Sequence, residues 1–327
     1  MGLRLIPRLL SLGFFVRGFD LTETTDTVSG VEYVFADITK SAVISRIARD
    51  VDHVFHLQNL SGPGLSTARK SGDTPKEHLT STIKLANVAK SLGTKTFVYV
   101  SSAQVYGPSR GELYRESEKP RPISRTGRRH LAVERYLVET MVPRSLTVII
   151  LRIPPVTGWG IPPAAHPSLY ASLRRAYVGK SIPLIGSGKH PVQYLDVEDL
   201  VSAMVRGIKT NTKGLLTLNV ASDDIISQRE LFDFLVEFTE SPSNPLPLPN
   251  PLMPLASLLG RMGVPPLGTD AHTFQHPQTI IDSMRARDYL EFVPKRTTET
   301  LSEMFHSWEN ALPMGDRAGA HVSIFRR

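Results

Sequence analysis

Apolar positions along the chain recur in two alternating periods. Leu3–Leu12 carries them at helical spacing, and FFVRGFD and VEYVFAD follow as short runs of strand character. A helical stretch around Ser41–Arg49 precedes VDHVFHL, a longer one around Glu77–Leu92 precedes TFVYVSS, and the helical region Ser124–Val142 precedes SLTVIILRI. Repeated βα units of this length predict a parallel, doubly wound sheet, because parallel neighbours need crossover helices between them. The expected fold class is α/β, with a Rossmann-like N-terminal half.

After Arg152 the pattern loosens into PPVTGWGIPPAAHP, whose prolines do not continue a central strand or helix. A smaller C-terminal lobe is expected from there, with helices near Ser168–Val178, Val197–Ile208 and Ser227–Thr239 and the turn-rich GSGKHP between them. SPSNPLPLPNPLMP reads as a proline-rich connector and MGDRAGAHVSIFRR as a frayed tail. The expected division is 1–155, joined by 190–222, for a cofactor-binding domain; 156–189 and 223–312 for a substrate lobe; and 313–327 for the tail.

Composition narrows the chemistry. Hydrophobic residues make up 41% of the 327 and charged residues 21%, a globular balance with a sizeable core. The net charge of +7 comes from scattered lysines and arginines without interleaved aromatics, which reads as a solvated surface; no nucleic-acid partner is expected. The absence of cysteine excludes disulfides, thiolate nucleophiles and cysteine-held metals, and it fits a cytoplasmic location. The ten histidines show no paired-ligand spacing, so no metal is expected. Arg4, Arg8, Arg17 and Pro7 interrupt the apolar N-terminus, which argues against a signal sequence. No run reaches the ~18 apolar residues that would read as a membrane span.

From Gly2 to Trp308 the order of segments resembles the extended short-chain dehydrogenase/reductases, also called NAD-dependent epimerase/dehydratases, with 3β-hydroxysteroid-dehydrogenase-like members among them. GLRLIPRLLSLGFFVRGFD looks like that family's stretch from the third glycine of G-x-x-G-x-x-G to the acidic tip of the second strand. On that alignment the first strand of the Rossmann core is missing, with the first two glycines. TFVYVSSAQVYG resembles F-V-Y-x-S-S-x-x-V-Y-G, LRIPPVTGWG resembles L-R-P-x-x-V-Y-G-P-G, and YLDVEDLVSAM resembles the segment with V-x-D-x-A that closes over substrate. The apolar stretch PLPLPNPLMPLASLLGRMGVPPLG is similar to the lobe of the hydroxysteroid-dehydrogenase-like members, where it would wall a greasy substrate.

The resemblance implies NAD as cofactor, bound weakly because the first two glycines of the pyrophosphate loop are missing on that alignment. Gly2 would stand at the helix start that meets the pyrophosphate. Asp20 would hold the adenosine ribose hydroxyls, repelling a 2′-phosphate and favouring NAD over NADP, unless it is simply a turn aspartate. Asp37 would lie near the adenine, and Gln58 takes the place of a small alanine that lets the cofactor lie close.

The same resemblance implies that Ser102 hydrogen-bonds a small-molecule substrate; Tyr106 and Tyr194 are candidate substrate residues and, with Tyr114 and Tyr136, possible substitute acids. The family's proton-transfer helix, P-x-S-x-Y-G-x-S-K-L-x-x-E, reads here as PISRTGRRHLAVE, which sets Thr126 at the tyrosine and His130 at the lysine. A threonine hydroxyl is far less acidic than a phenol of pKa ~10, and a histidine of pKa ~6.5 is mostly neutral at pH 7. Thr126 can still donate a hydrogen bond and His130 can serve as an improvised base; the plainer alternatives are a helix-surface threonine and a partly exposed histidine beside Arg128 and Arg129. Three functions stay open: an NAD(P)-dependent epimerase, dehydratase or dehydrogenase acting on a nucleotide sugar or sterol-like alcohol with redox turnover in doubt, a non-catalytic binding, regulatory or scaffold protein, and a non-redox proton-transfer or cyclisation enzyme. The helices Glu77–Leu92 and Ser124–Val142 resemble those of the family's four-helix interface, which implies a homodimer.

Overall fold

A computed structural model describes residues 1–20, 23, 27–36, 41–57, 75–109, 113–249, 279–309 and 312. The elements of the N-terminal half follow in the expected order: α1 (Gly2–Ser11), β1 (Arg17–Asp20), β2 (Glu32–Phe35), α2 (Ser41–Ile47), β3 (His53–His56), α3 (Pro75–Ser91), β4 (Thr96–Ser102), α4 (Arg125–Tyr136) and β5 (Thr147–Ile153). Then come β6 (Val156–Thr157), α5 (Pro167–Tyr177), β7 (Ile182–Ile185), β8 (Pro191–Val192), β9 (Leu195–Asp196), α6 (Val197–Lys209), β10 (Leu215–Asn219), β11 (Ile226–Ser227), α7 (Gln228–Phe238), β12 (Pro245–Leu248), α8 (Met284–Leu290) and α9 (Thr297–Glu309).

The main sheet is four-stranded and parallel throughout, in the order β10-β5-β4-β3, and β1 and β2 form a separate parallel pair. Successive residues of a strand face opposite sides of the sheet, and both sides here are covered. Val98, Val100, Ile149 and Leu151 pack with Leu5 and Leu9 of α1 and with Leu200 and Met204 of α6. Phe97, Tyr99, Val148 and Ile150 pack on the other side with Ile44 of α2, Leu85 of α3 and Val133 of α4. Helices on both faces make the sheet doubly wound, which is why β4 and β5 are apolar without alternation.

The helical region after Ser124 is not uniform. α4 ends at Tyr136, a π turn covers Leu137–Met141, and a 3-10 turn at Val142–Arg144 ends on Ser145 at φ 62. Pro143 has no N–H and cannot extend the α ladder.

The proline-rich connector contains a strand that its sequence argued against. β12 pairs in parallel with β7, the amides of Ile182 and Gly186 donating to the carbonyls of Asn244 and Leu248. Pro245 and Pro247 alternate with those positions, so their missing N–H groups face away from β7, as an edge strand permits. The rest of the apolar stretch, from 250 to 268, and the tail from 313 lie outside the described residues.

A second core joins α5, α7 and α9 through Leu169, Leu173, Leu235, Leu301, Phe305 and Trp308. Among the described residues, no helix is long and apolar enough to cross a membrane.

Candidate active site

The strands of the main sheet run parallel, so His56, Ser102, Ile153 and Asn219 all lie at its carboxyl end. In open α/β sheets that end gathers ligands, because loops and helix N-termini converge there.

Ser102 closes β4 and caps the 3-10 turn Ala103–Val105, its Oγ accepting from the Gln104 amide at 3.2 Å. Gln104 is in turn tied to the start of α4: Ser124 Oγ donates to Gln104 Oε1 at 2.7 Å and accepts from the Gly127 amide at 2.9 Å as the helix cap. Gly127 lets these segments touch, since a Cβ there would stand 2.2 Å from the Gln104 carbonyl oxygen. The start of α4, which carries Thr126 and, one helical turn on, His130, is thereby fixed against the turn that Ser102 caps. Thr126 is half-buried. The Ser102 hydroxyl is thus an acceptor within the turn.

His130 is only 4% exposed, which overturns its reading as a partly exposed residue beside Arg128 and Arg129. Its Nδ1 lies 2.7 Å from the Tyr99 hydroxyl. Tyr99 is itself flanked by two imidazoles, with ring centroids 5.6 Å from His56 and 5.8 Å from His130, and Thr82 Oγ1 lies 3.1 Å from His56 Nε2. Burial, and then the negative charge of Glu134, push the Tyr99 phenol well above its ordinary range, so it holds its proton.

One turn further along α4, Glu134 receives Arg152 of β5 and the hydroxyl of Ser101. Arg152 also donates to the Tyr106 hydroxyl at 2.8 Å, which donates to Asn219 Oδ1 at 2.8 Å. Burial opposes the charge on Arg152, but Glu134 outweighs it and raises the guanidinium above its ordinary value. Burial pushes Tyr106 up to about 12, against the pull of Arg152.

Ser102 and the helix that carries Thr126 and His130 are therefore linked through Gln104, Ser124 and Gly127. Tyr106 is 2% exposed with its hydroxyl engaged inside the protein, and Tyr194 is 6% exposed, edge-on to His166. Asp37 and Gln58 lie outside the described residues. Gly2 opens α1 with no atom within 4 Å of where a Cβ would be, and Asp20 ends β1 exposed. An open helix start, whose first amides have no partner within the helix, and a carboxylate at a strand tip fit a dinucleotide.

Sequence reasoning passed over Tyr99, Gln104, Glu134 and Arg152. A signal existed for the last two: an arginine inside the apolar run TVIILRI requires a buried partner, and Glu134 closes the proton-transfer motif.

The profile of the NAD-dependent epimerase/dehydratase family matches residues 1–221. The protein y4nG of Sinorhizobium fredii is 26% identical over 309 residues, covering 94% of this chain and 75% of that one. Among solved structures, the UDP-glucose 4-epimerase of Thermotoga maritima with UDP-glucose is similar at a TM-score of 0.76 and 21% identity, over 95% of this chain and 96% of that one. The UDP-glucuronic acid 4-epimerase of Bacillus cereus, in complex with UDP-glucuronic acid and NAD, matches at 0.76 and 18%, with the same coverage. At such identities the structures speak for the shared fold, while the profile spans well over half of the chain. The protein therefore belongs to the NAD-dependent epimerase/dehydratase family.

Proposed function

We propose that the chain binds NAD and a nucleotide sugar at the carboxyl end of the sheet, as an epimerase-like member with slow redox turnover. Family membership supports the cofactor, and the two UDP-sugar epimerases that share its fold support the substrate class. The observation that carries the reading is the pair Thr126 and His130 on α4, held against the Ser102 turn. Asp20 takes the adenosine ribose and disfavours NADP. When bound, NAD supplies the hydride acceptor. Ser102 donates to the substrate oxygen and orients it. Thr126 offers a hydrogen bond but holds its proton too tightly to relay it, so proton removal is slow.

Residues 1–155 with 190–222 form the cofactor half, 156–189 and 223–312 the substrate lobe, and two copies pair through α3 and α4. A non-catalytic binding role is the second reading, favoured by the same absence of a phenol and an ammonium at Thr126 and His130.

The test compares the unmodified chain with Thr126→Tyr/His130→Lys, each incubated with NAD and either UDP-glucose or UDP-glucuronic acid. The double variant should turn over faster by ~10²–10⁴-fold, the usual contribution of general acid–base catalysis. Ser102→Ala should abolish that gain. An ordinary enzymatic rate from the unmodified chain that Thr126→Val leaves unchanged would overturn this placement of the site.

A further inference from the structure

Tyr106 closes the turn that Ser102 opens, its amide donating to the Ala103 carbonyl at 3.0 Å, and its buried hydroxyl lies between two partners. Arg152 Nη1 donates to that oxygen at 2.8 Å, and the phenol donates onward to Asn219 Oδ1 at 2.8 Å. The Arg152 guanidinium carbon also stands 4.8 Å from the centre of the Tyr106 ring, and the Tyr114 ring stacks parallel to it at 5.1 Å. Burial pushes the phenol up to about 12, and Glu134 outweighs burial in keeping the guanidinium charged, so both bonds persist at neutral pH. Each end of the turn is therefore tied to the same helix. Gln104 is held by Ser124, the cap of α4, and Tyr106 is held through Arg152 by Glu134, further along it. Asn219 joins β10 to the second tie, and is itself held by donating to the Tyr114 carbonyl at 2.8 Å and, from its backbone amide, to Glu116 at 2.7 Å.

We propose that Tyr106 is a positioning residue: through its hydroxyl, Arg152 and Asn219 fix the far end of the Ser102 turn, and substrate binding beside Ser102 depends on that hydroxyl without contact between the two. The sequence makes Tyr106 a candidate substrate contact; its burial sets it one step back, behind the turn. Arginine suits the tie. Its planar fork meets Glu134 with Nε and Nη2 and still turns Nη1 on Tyr106, a geometry that a lysine does not offer. The consequence for substrate rests on the proposed function, whereas the tie itself can be read with no ligand present.

The test is amide hydrogen exchange of the full chain, read by mass spectrometry on fragments that separate the turn from β4 and β5, in the unmodified protein and in Tyr106→Phe. Phenylalanine keeps the ring and removes only the hydroxyl. The amides of residues 104 and 106 should exchange faster by about tenfold, the effect of losing hydrogen bonds of ordinary strength, while those of 98–100 in β4 and 149–151 in β5 keep their rates. Faster exchange throughout the sheet would mean general destabilisation, and unchanged exchange at 104 and 106 would mean that the hydroxyl does not hold the turn; either result overturns the proposal. Should Tyr106→Phe fail to fold, Glu134→Leu/Arg152→Met gives the same reading, since it withdraws Arg152 from the hydroxyl and strands no charge. Titration with UDP-glucose and with NAD reads the consequence: Tyr106→Phe should lose affinity for UDP-glucose by about fivefold or more and keep its affinity for NAD. Equal losses for the two ligands, or no loss for UDP-glucose, would overturn the positioning role. An unmodified chain that does not bind UDP-glucose contradicts the proposed function instead, and the exchange rates still decide the tie.

Discussion

Glu134 and Arg152 meet as a forked ion pair between α4 and β5: Nη2 lies 2.7 Å from Oε2 and Nε lies 3.2 Å from each carboxylate oxygen, with side-chain exposures of 3% and 9%. The pair ties α4, the helix that carries Thr126 and His130, to β5 of the sheet. Replacing one partner strands the other charge in the core. Arg152→Met should therefore cost about 3–5 kcal/mol in urea unfolding. Glu134→Leu/Arg152→Met should recover most of that, since both charges leave together. A loss in the double variant equal to the sum of the two single losses would show that the pair is not coupled.

Gly127→Ala probes the other end of the same helix. The added methyl meets a backbone carbonyl, that of Gln104, which has no rotamer by which to move aside. Overpacking of this kind costs about 1–3 kcal/mol, and relieving it draws α4 away from the Ser102 turn. The variant should melt at lower temperature and should also lose ligand affinity. An unchanged melting temperature would mean that the two segments are not in contact.

Asp199 sets a pH dependence. It lies at the start of α6 and accepts from the Lys295 amide at 2.7 Å, yet burial pushes its carboxyl up to about 6 from the ordinary 3.8, with Asp196 and Glu299 adding to the rise. The folded chain holds this proton more tightly than the unfolded one, so the group's contribution to stability is full in acid and is lost as pH rises through the folded value. Asp199→Asn removes the ionisation and keeps an acceptor for the amide. It should stabilise the protein by about 1–3 kcal/mol at neutral pH and by little near pH ~4, read by thermal unfolding at both. An equal effect at both pH values would contradict this account.

How much of this was legible in the sequence differs from element to element. TFVYVSS and TVIILRI read as strands covered on both faces, because neither alternates polar with apolar, and so β4 and β5 were plain. β12 was not, because a proline's penalty depends on which way its N–H faces, and that follows from pairing register. Ser102, Thr126 and His130 are candidates by motif order alone. The burial of His130 was half-visible: Gly127, His130, Leu131 and Glu134 share one face of α4, while Arg128 and Arg129 drew attention to the other. The contact between Tyr99 and His130 joins residues 31 apart and depends on which face of β4 carries the tyrosine. No local pattern reports that.

The central claim is that this chain is a nicotinamide-binding member of its family whose adenosine side is read by Asp20. Calorimetric titration of NAD into the full chain, beside the same titration of Asp20→Ala and of NADP into the unmodified chain, tests it most directly. The account predicts saturable NAD binding, weakened at least about tenfold, or ~1.4 kcal/mol, both by Asp20→Ala and by the 2′-phosphate of NADP. Absence of NAD binding, or an NAD affinity that Asp20→Ala leaves unchanged, would contradict it.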